Sequence, residues 1–325
     1  MGYAPMEFIP AVYEHAATLL GERPWTVSRS AALLARAHAE AYRRYHHSPV
    51  VVGIDIYSIE AEAYGALIQE PEGNAIPAIS SHPCAGVDAI PGLPLLDPGR
   101  DGRLPLVLAA ARELRARFPE ADIRIPLSGP FSIAGNLIGL DTLLLEVLGS
   151  PEATRRALVH LVEGQLAFCR HSADAGLDVT FFESGAAPPL LSPRLFREIV
   201  LPPLRHCMEH ASRILGHPVP CIIGGNTLPI LDALLETGTG SIICPSETDQ
   251  RAFMELMQNH PEVAVRVNMN PGVFLSGSWD VIRQEVQRVV ALARLHPHAS
   301  VGTGVLPFET DPTIVLATAH LVSTL

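Results

Sequence analysis

The sequence predicts an α/β fold, a (β/α)8 TIM barrel, and three observations carry that prediction. The chain has 325 residues, long for one ordinary domain but usual for this barrel. Short β-branched runs alternate with amphipathic segments throughout, the pattern of a parallel sheet wrapped by helices. No internal repeat, low-complexity tract or linker interrupts the alternation, so one barrel domain over residues 1–325 is expected.

The strand candidates are residues 7–10, 50–57, 122–128, 178–183, 219–223, 241–244, 263–269 and 299–302. Eight runs suit a closed barrel. Between them lie segments with helical spacing and capping residues. Residues 28–45 start at Ser28 as a candidate N-cap; residues 150–176 run from Ser150 to Gly176; a segment from Ser192 contains Pro202 and Pro203, which should kink it. Residues 227–238 end at Gly238, and 278–295 start at Ser278. Residues 67–103 break the rhythm. They are rich in Pro and Gly, lack a helical period, and read as an excursion containing a hairpin over the barrel mouth.

Composition narrows the function classes. The chain is 48% hydrophobic and 18% charged, with a mean hydropathy of +0.24, which implies a large buried core. Its apolar runs fall well short of the roughly 18 residues of a membrane span. A formal charge of −11 argues against nucleic acid and anionic membrane surfaces as partners. The first residues lack a basic and an apolar leader region, so a cytoplasmic location is expected. Cys84, Cys169, Cys207, Cys221 and Cys244 are odd in number and scattered, which points to reduced thiols rather than a disulfide framework.

In such barrels chemistry sits at the C-terminal ends of the strands. Reading those positions in order gives Glu14 and His15, then Asp55, Glu60 and Glu62, then Ser128 and Asn136. Glu183 follows, then Cys221 with Asn226, Cys244 with Glu247, Asn268 with Asn270, and Thr303. A ring of acids, amides and thiols with few cations suits proton handling or a metal better than a bare phosphate. No Walker loop, dinucleotide fingerprint or nucleophile elbow is present. Asp55 and Glu183 each follow an apolar strand, and a buried acid needs a partner or a task. Glu60 and Glu62 occupy alternate positions and cannot share a helix face. One is expected to face the pocket while the other bonds backbone or solvent. Cys221 and Cys244 end consecutive strands with Glu247 close behind. They form either a displaced zinc site or two small core residues on adjacent strands.

At these residues the chain resembles a known family. GIDIYSIEAEAYGA (53–66), PLSGPFSIAGNLIG (126–139), ESGAAPPLLSPRLFREIVLPPLR (183–205), GGNTLPILDALLETG (224–238), VNMNPG (267–272) and VGTGVLPFETDP (301–312) appear in the order seen in the uroporphyrinogen decarboxylase superfamily. They look closer to its corrinoid-linked methyltransferase branch. The resemblance spans nearly the whole chain and implies a barrel with a deep pocket at its C-terminal mouth. It also implies a homodimer.

The departures from the family pattern are informative. Where the decarboxylases carry arginines that hold a tetrapyrrole's carboxylates, this chain reads YEHAATLL (13–20), with Glu14 and His15 in their place. An acid there would repel a polycarboxylate. Their pocket Tyr falls near Asn136 and their last-loop His at Thr303, while their pocket Asp is kept as Asp55. The methyltransferases' zinc ligands fall at Ile222, Gly224 and Thr303, none of which ligates zinc.

The resulting expectation is an enzyme that moves a methyl group between a small methylated substrate and a corrinoid such as methylcobalamin, free or on a partner corrinoid protein. The usual zinc site would be missing. Asp55, Glu183 and His15 are the expected catalytic residues. Glu14, Glu60, Asn136, Asn226, Asn268 and Thr303 are expected to bind substrate. Cys221, Cys244 and Glu247 are the candidates for a displaced metal site. The alternative is a zinc-free decarboxylase acting on something smaller than a porphyrinogen.

Overall fold

The computed structural model describes residues 6–325; the reading of the chain start as leaderless concerns in part residues 1–5, which lie outside them. All eight expected strands are present. They are β1 (Phe8–Ala11), β2 (Val50–Val51), β5 (Ile123–Ser128), β6 (Asp178–Phe182), β7 (Cys221–Ile222), β8 (Ser241–Cys244), β9 (Ala264–Met269) and β10 (Ala299–Val305). The other two strands, β3 (Leu67–Gln69) and β4 (Ala78–Ser81), form an antiparallel hairpin within the irregular excursion. Arg23 holds this hairpin through the Glu70 carboxylate and the carbonyls of Pro71 and Gly73.

The barrel strands form two parallel four-stranded arcs, β1-β10-β9-β8 and β2-β5-β6-β7. A single parallel bridge between Pro220 and Ser241 joins β7 to β8. Side chains from all eight strands line one cavity along the barrel axis. The sheet curls because residues buried on both faces keep the right-handed strand twist, and the helices cover its outer surface. Among the described residues, no single helix is long and apolar enough to cross a membrane.

Local chemistry sets the helix ends. The helix Ala31–Tyr45 is capped by Ser30, whose side chain accepts from the Leu33 amide at 3.3 Å. The expected cap, Ser28, instead closes the short preceding helix Pro24–Ser28. Ser192 and Ser278 cap their helices as expected, through the amides of Leu195 and Val281. The double proline does perturb its helix. Residues Phe196–Val200 wind as a π-helical turn immediately before Leu201–Leu215. Pro202 and Pro203 have no N–H to offer the carbonyls four residues back, so the register widens there. The five cysteines are all free and buried.

Candidate active site

Two cavities meet inside the barrel. The lower one, about 480 Å³, opens toward the N-terminal ends of the strands. The upper one, about 130 Å³, lies at their C-terminal ends. Tyr13, Phe182, Ile222, Ile243 and Arg266 line both and form the partition between them. Phe182 is met edge-on by two tyrosines, Tyr13 at 6.1 Å and Tyr57 at 5.9 Å between ring centroids. Above the partition stand Ser184, Glu247, Asn268 and Thr303.

Three of the expected residues therefore reach the mouth cavity. Asn268 is buried, and its Oδ1 accepts from Arg266 Nε at 3.1 Å. Thr303 is fully buried, and its Oγ1 accepts from the Ala11 amide at 3.0 Å, tying β10 to β1 across the ladder. Glu247 is exposed at the rim.

The three expected catalytic residues do not line it. Asp55 is buried and held by Arg103 through both oxygens, at 2.8 and 2.6 Å, with the Ser58 hydroxyl as a third partner. Glu183 is fully buried at the end of β6 and caps the helix Pro130–Ile138. Its Oε2 accepts from the Phe131 amide at 3.1 Å, and its Oε1 accepts from the amide and hydroxyl of Ser132, both at 2.6 Å. His15 is fully buried, with Nε2 2.8 Å from the Tyr45 hydroxyl. The sequence placed these groups near strand ends, but their side chains turn into the shell between sheet and helices.

The other expected binding residues also lie outside the mouth cavity. Glu14 is buried at the head of the short helix His15–Thr18 and is absent from the cavity wall. Neither Glu60 nor Glu62 faces the pocket: Glu60 accepts from the Ser128 amide at 2.7 Å, and Glu62 binds both Arg29 and Arg103. Asn136 bonds the Tyr57 carbonyl and receives His82 on its own carbonyl, so it braces the wall from behind. Asn226 is exposed, and its Oδ1 accepts from Thr248. The displaced metal site is not assembled. Among the described residues no three His, Cys, Asp or Glu side chains are grouped to hold an ion. The Cys221 and Cys244 thiols are pushed up by burial, and Cys244 Sγ is directed to the Gln250 carbonyl. With Ile222, Gly224 and Thr303 at the family's ligand positions, these residues do not fit a zinc ion.

Sequence reasoning missed Tyr13, Tyr57, Ser184 and, above all, Arg266. One signal for Arg266 was available: it is the only charged side chain in the apolar run VAVRVNM (263–269). A charge on a strand buried on both faces has to be accounted for.

Burial sets the titration of several of these groups. It raises Glu14, Glu60 and Glu183 from 4.5 to about 7. It lowers His15 and His38 from 6.5 to about 4 and His47, also buried, to about 3. A raised carboxyl favours the fold below its unfolded value, and that gain is lost as pH rises through 7. A lowered imidazole opposes the fold as pH falls below 6.5. Three groups of each kind cancel between about pH 6.5 and 4.5. The melting temperature should therefore change little across that window and drop from pH 4.5 to 3, where the histidines and the lowered carboxyls of Asp101, Glu285 and Asp311 all work against the fold. A steady rise on acidification through pH 4.5 would contradict these assignments.

Comparison with known proteins agrees with the barrel. The family model described as uroporphyrinogen decarboxylase (URO-D) matches residues 8–324. A protein of Salinispora tropica named uroporphyrinogen decarboxylase is 32% identical over 180 residues, 54% of this chain and 46% of that protein. A Methanosarcina mazei protein named methylated-thiol–coenzyme M methyltransferase is 30% identical over 113 residues, 34% of this chain and 31% of that protein. The chain thus matches less than half the length of these two relatives. In structure it is similar to a methyltransferase from Methanosarcina mazei, with a TM-score of 0.84 at 18% identity, covering 99% of this chain and 95% of the other. At that identity the likeness establishes the fold. The superfamily contains both methyltransferases and decarboxylases, and by the family match over almost its entire length this chain belongs to the uroporphyrinogen decarboxylase family.

Proposed function

We propose that this protein moves a methyl group between a small methylated substrate, held in the mouth cavity, and a corrinoid that is free or carried by a partner protein. The observation that carries this reading is the cavity itself. At about 130 Å³ it lies below the usual range of sites for drug-sized ligands, about 300–1,000 Å³. Its wall carries the Tyr13 and Tyr57 phenols, with the Glu247 carboxylate at the rim. Taking a methyl group from oxygen or nitrogen leaves an electron pair on that atom, which must gain a proton. Burial keeps Tyr13 protonated, so its hydroxyl can donate a hydrogen bond to the leaving atom as the C–O or C–N bond breaks. The relative named a methyltransferase supports the same reading.

The test is the change in visible absorbance when the protein and a small methylated donor are mixed with reduced cobalamin, or with methylcobalamin for the reverse transfer. Tyr13→Phe or Tyr57→Phe should lower the rate by on the order of 100-fold while leaving the circular dichroism unchanged. No reaction with any corrinoid in either direction would overturn the proposal. The match over 180 residues to a relative named a decarboxylase supports a second reading, decarboxylation of a small acid. Release of carbon dioxide without a corrinoid would select it.

A further inference from the structure

Arg266 is out of keeping with the other arginines of this protein. Those that are buried or half-buried all have a carboxylate: Arg103 has Asp55 and Glu62, Arg29 has Glu62, and Arg124 has Asp122 and Asp178. The half-buried Arg23, Arg44 and Arg155 are likewise paired. Arg266, set in the barrel interior, has no carboxylate within ion-pair distance among the described residues. Its neighbours are Asn268, which accepts from Nε, and the phenols of Tyr13 and Tyr57, which are neutral near pH 7. An uncompensated charge in such a place is costly.

The fold nevertheless makes room for it. On the adjacent strand, a Cβ at Gly302 would stand 2.4 Å from Arg266 Cδ and 2.7 Å from Cγ. Only a residue without a side chain lets the arginine stem lie there. With Nε held by Asn268, the terminal Nη1 and Nη2 donors remain for another partner, and together they match the two oxygens of a carboxylate.

We propose that Arg266 is the anchor for a carboxylate on the substrate, so that this protein acts on a small methylated acid bound end-on to the guanidinium at the floor of the mouth cavity. This rests on the mouth cavity being the substrate site. Asn268 and Gly302 are positioning residues that fix the guanidinium.

The test is made with no corrinoid present, so that failure of the methyl-transfer reading leaves it untouched. Melting temperature and calorimetric binding are measured with acetate, benzoate and 4-methoxybenzoate. Benzamide serves as the neutral control, and chloride matches the ionic strength. At least one acid should raise the wild-type melting temperature by about 2 °C, and benzamide should not. Arg266→Met should lose this response yet melt no lower than the wild type, since it removes a charge that the empty protein leaves unpaired. Arg266→Lys keeps the charge but not the planar fork, and should bind the same acid at least tenfold more weakly. The proposal is overturned if none of the acids shifts the wild type, or if they shift Arg266→Met equally. It is also overturned if Arg266→Met melts several degrees lower, which would make Arg266 a structural residue.

Discussion

Replacing Arg103 with methionine should remove on the order of 3–5 kcal/mol of folding free energy and leave little folded protein at 37 °C. Arg103 is 6% exposed and joins three parts of the chain. Its Nη atoms grip both oxygens of Asp55, its Nε meets Glu62, and Nη1 also reaches the Ser28 carbonyl. Without the guanidinium, the buried Asp55 carboxylate would keep only Ser58, a partner too weak to offset its lost hydration. The loss belongs to the pair, so Asp55→Asn combined with Arg103→Met should be far less damaging than the two single changes added together. Urea unfolding of the three variants measures this. The coupling should be on the order of 2 kcal/mol or more, and simple additivity would refute the ion-pair account. Asp55→Asn separates the structural role from the catalytic one expected from sequence. Lower stability with activity per folded molecule kept within a few-fold supports the former. Normal stability with a large loss of activity would restore the latter.

Gly129→Ala should cost a similar amount by a different route. An added Cβ would lie 2.1 Å from Glu183 Oε2 and 2.4 Å from Cδ, so the carboxylate must leave its seat. Two amides in the first turn of the helix Pro130–Ile138 then lose their acceptor inside the protein, and each buried unsatisfied donor costs about 1–3 kcal/mol. Glu183→Gln is the milder probe. It keeps one oxygen, but turns an amino group toward the donors, and should cost about 1–3 kcal/mol. Both are read from chemical denaturation. If Glu183→Gln folds as stably as the wild type and loses turnover instead, the helix-capping role is wrong and Glu183 belongs to the chemistry.

Much of the fold is legible in the sequence. Each barrel strand coincides with a short β-branched run, because strands buried on both faces must be apolar over their whole length. Several helix boundaries follow from serine caps and terminal glycines, and Ser28 misses by two residues because Ser30 offers the same chemistry. The candidate site is legible only in part. Strand-end position leads to Asn268, Thr303 and Glu247, which line the mouth cavity. It leads equally to Asp55, Glu183 and His15, whose side chains turn away from it.

The difference lies in partners far away in the chain. Asp55 meets Arg103 forty-eight residues later, Glu183 meets an amide pair fifty-one and fifty-two residues earlier, and His15 meets Tyr45 thirty residues later. No periodicity encodes such meetings. Arg266 is the converse case, a charge on an apolar strand whose partners could not be counted from sequence.

By itself, then, the sequence determined the barrel and the family, since these follow from local hydrophobic pattern and motif order. Only the tertiary structure decided which polar side chains face the axis and which face the helical shell. Barrel closure assigns each strand residue to one side or the other, and packing then gives a buried carboxylate an arginine or leaves a half-buried arginine inside the barrel without a carboxylate.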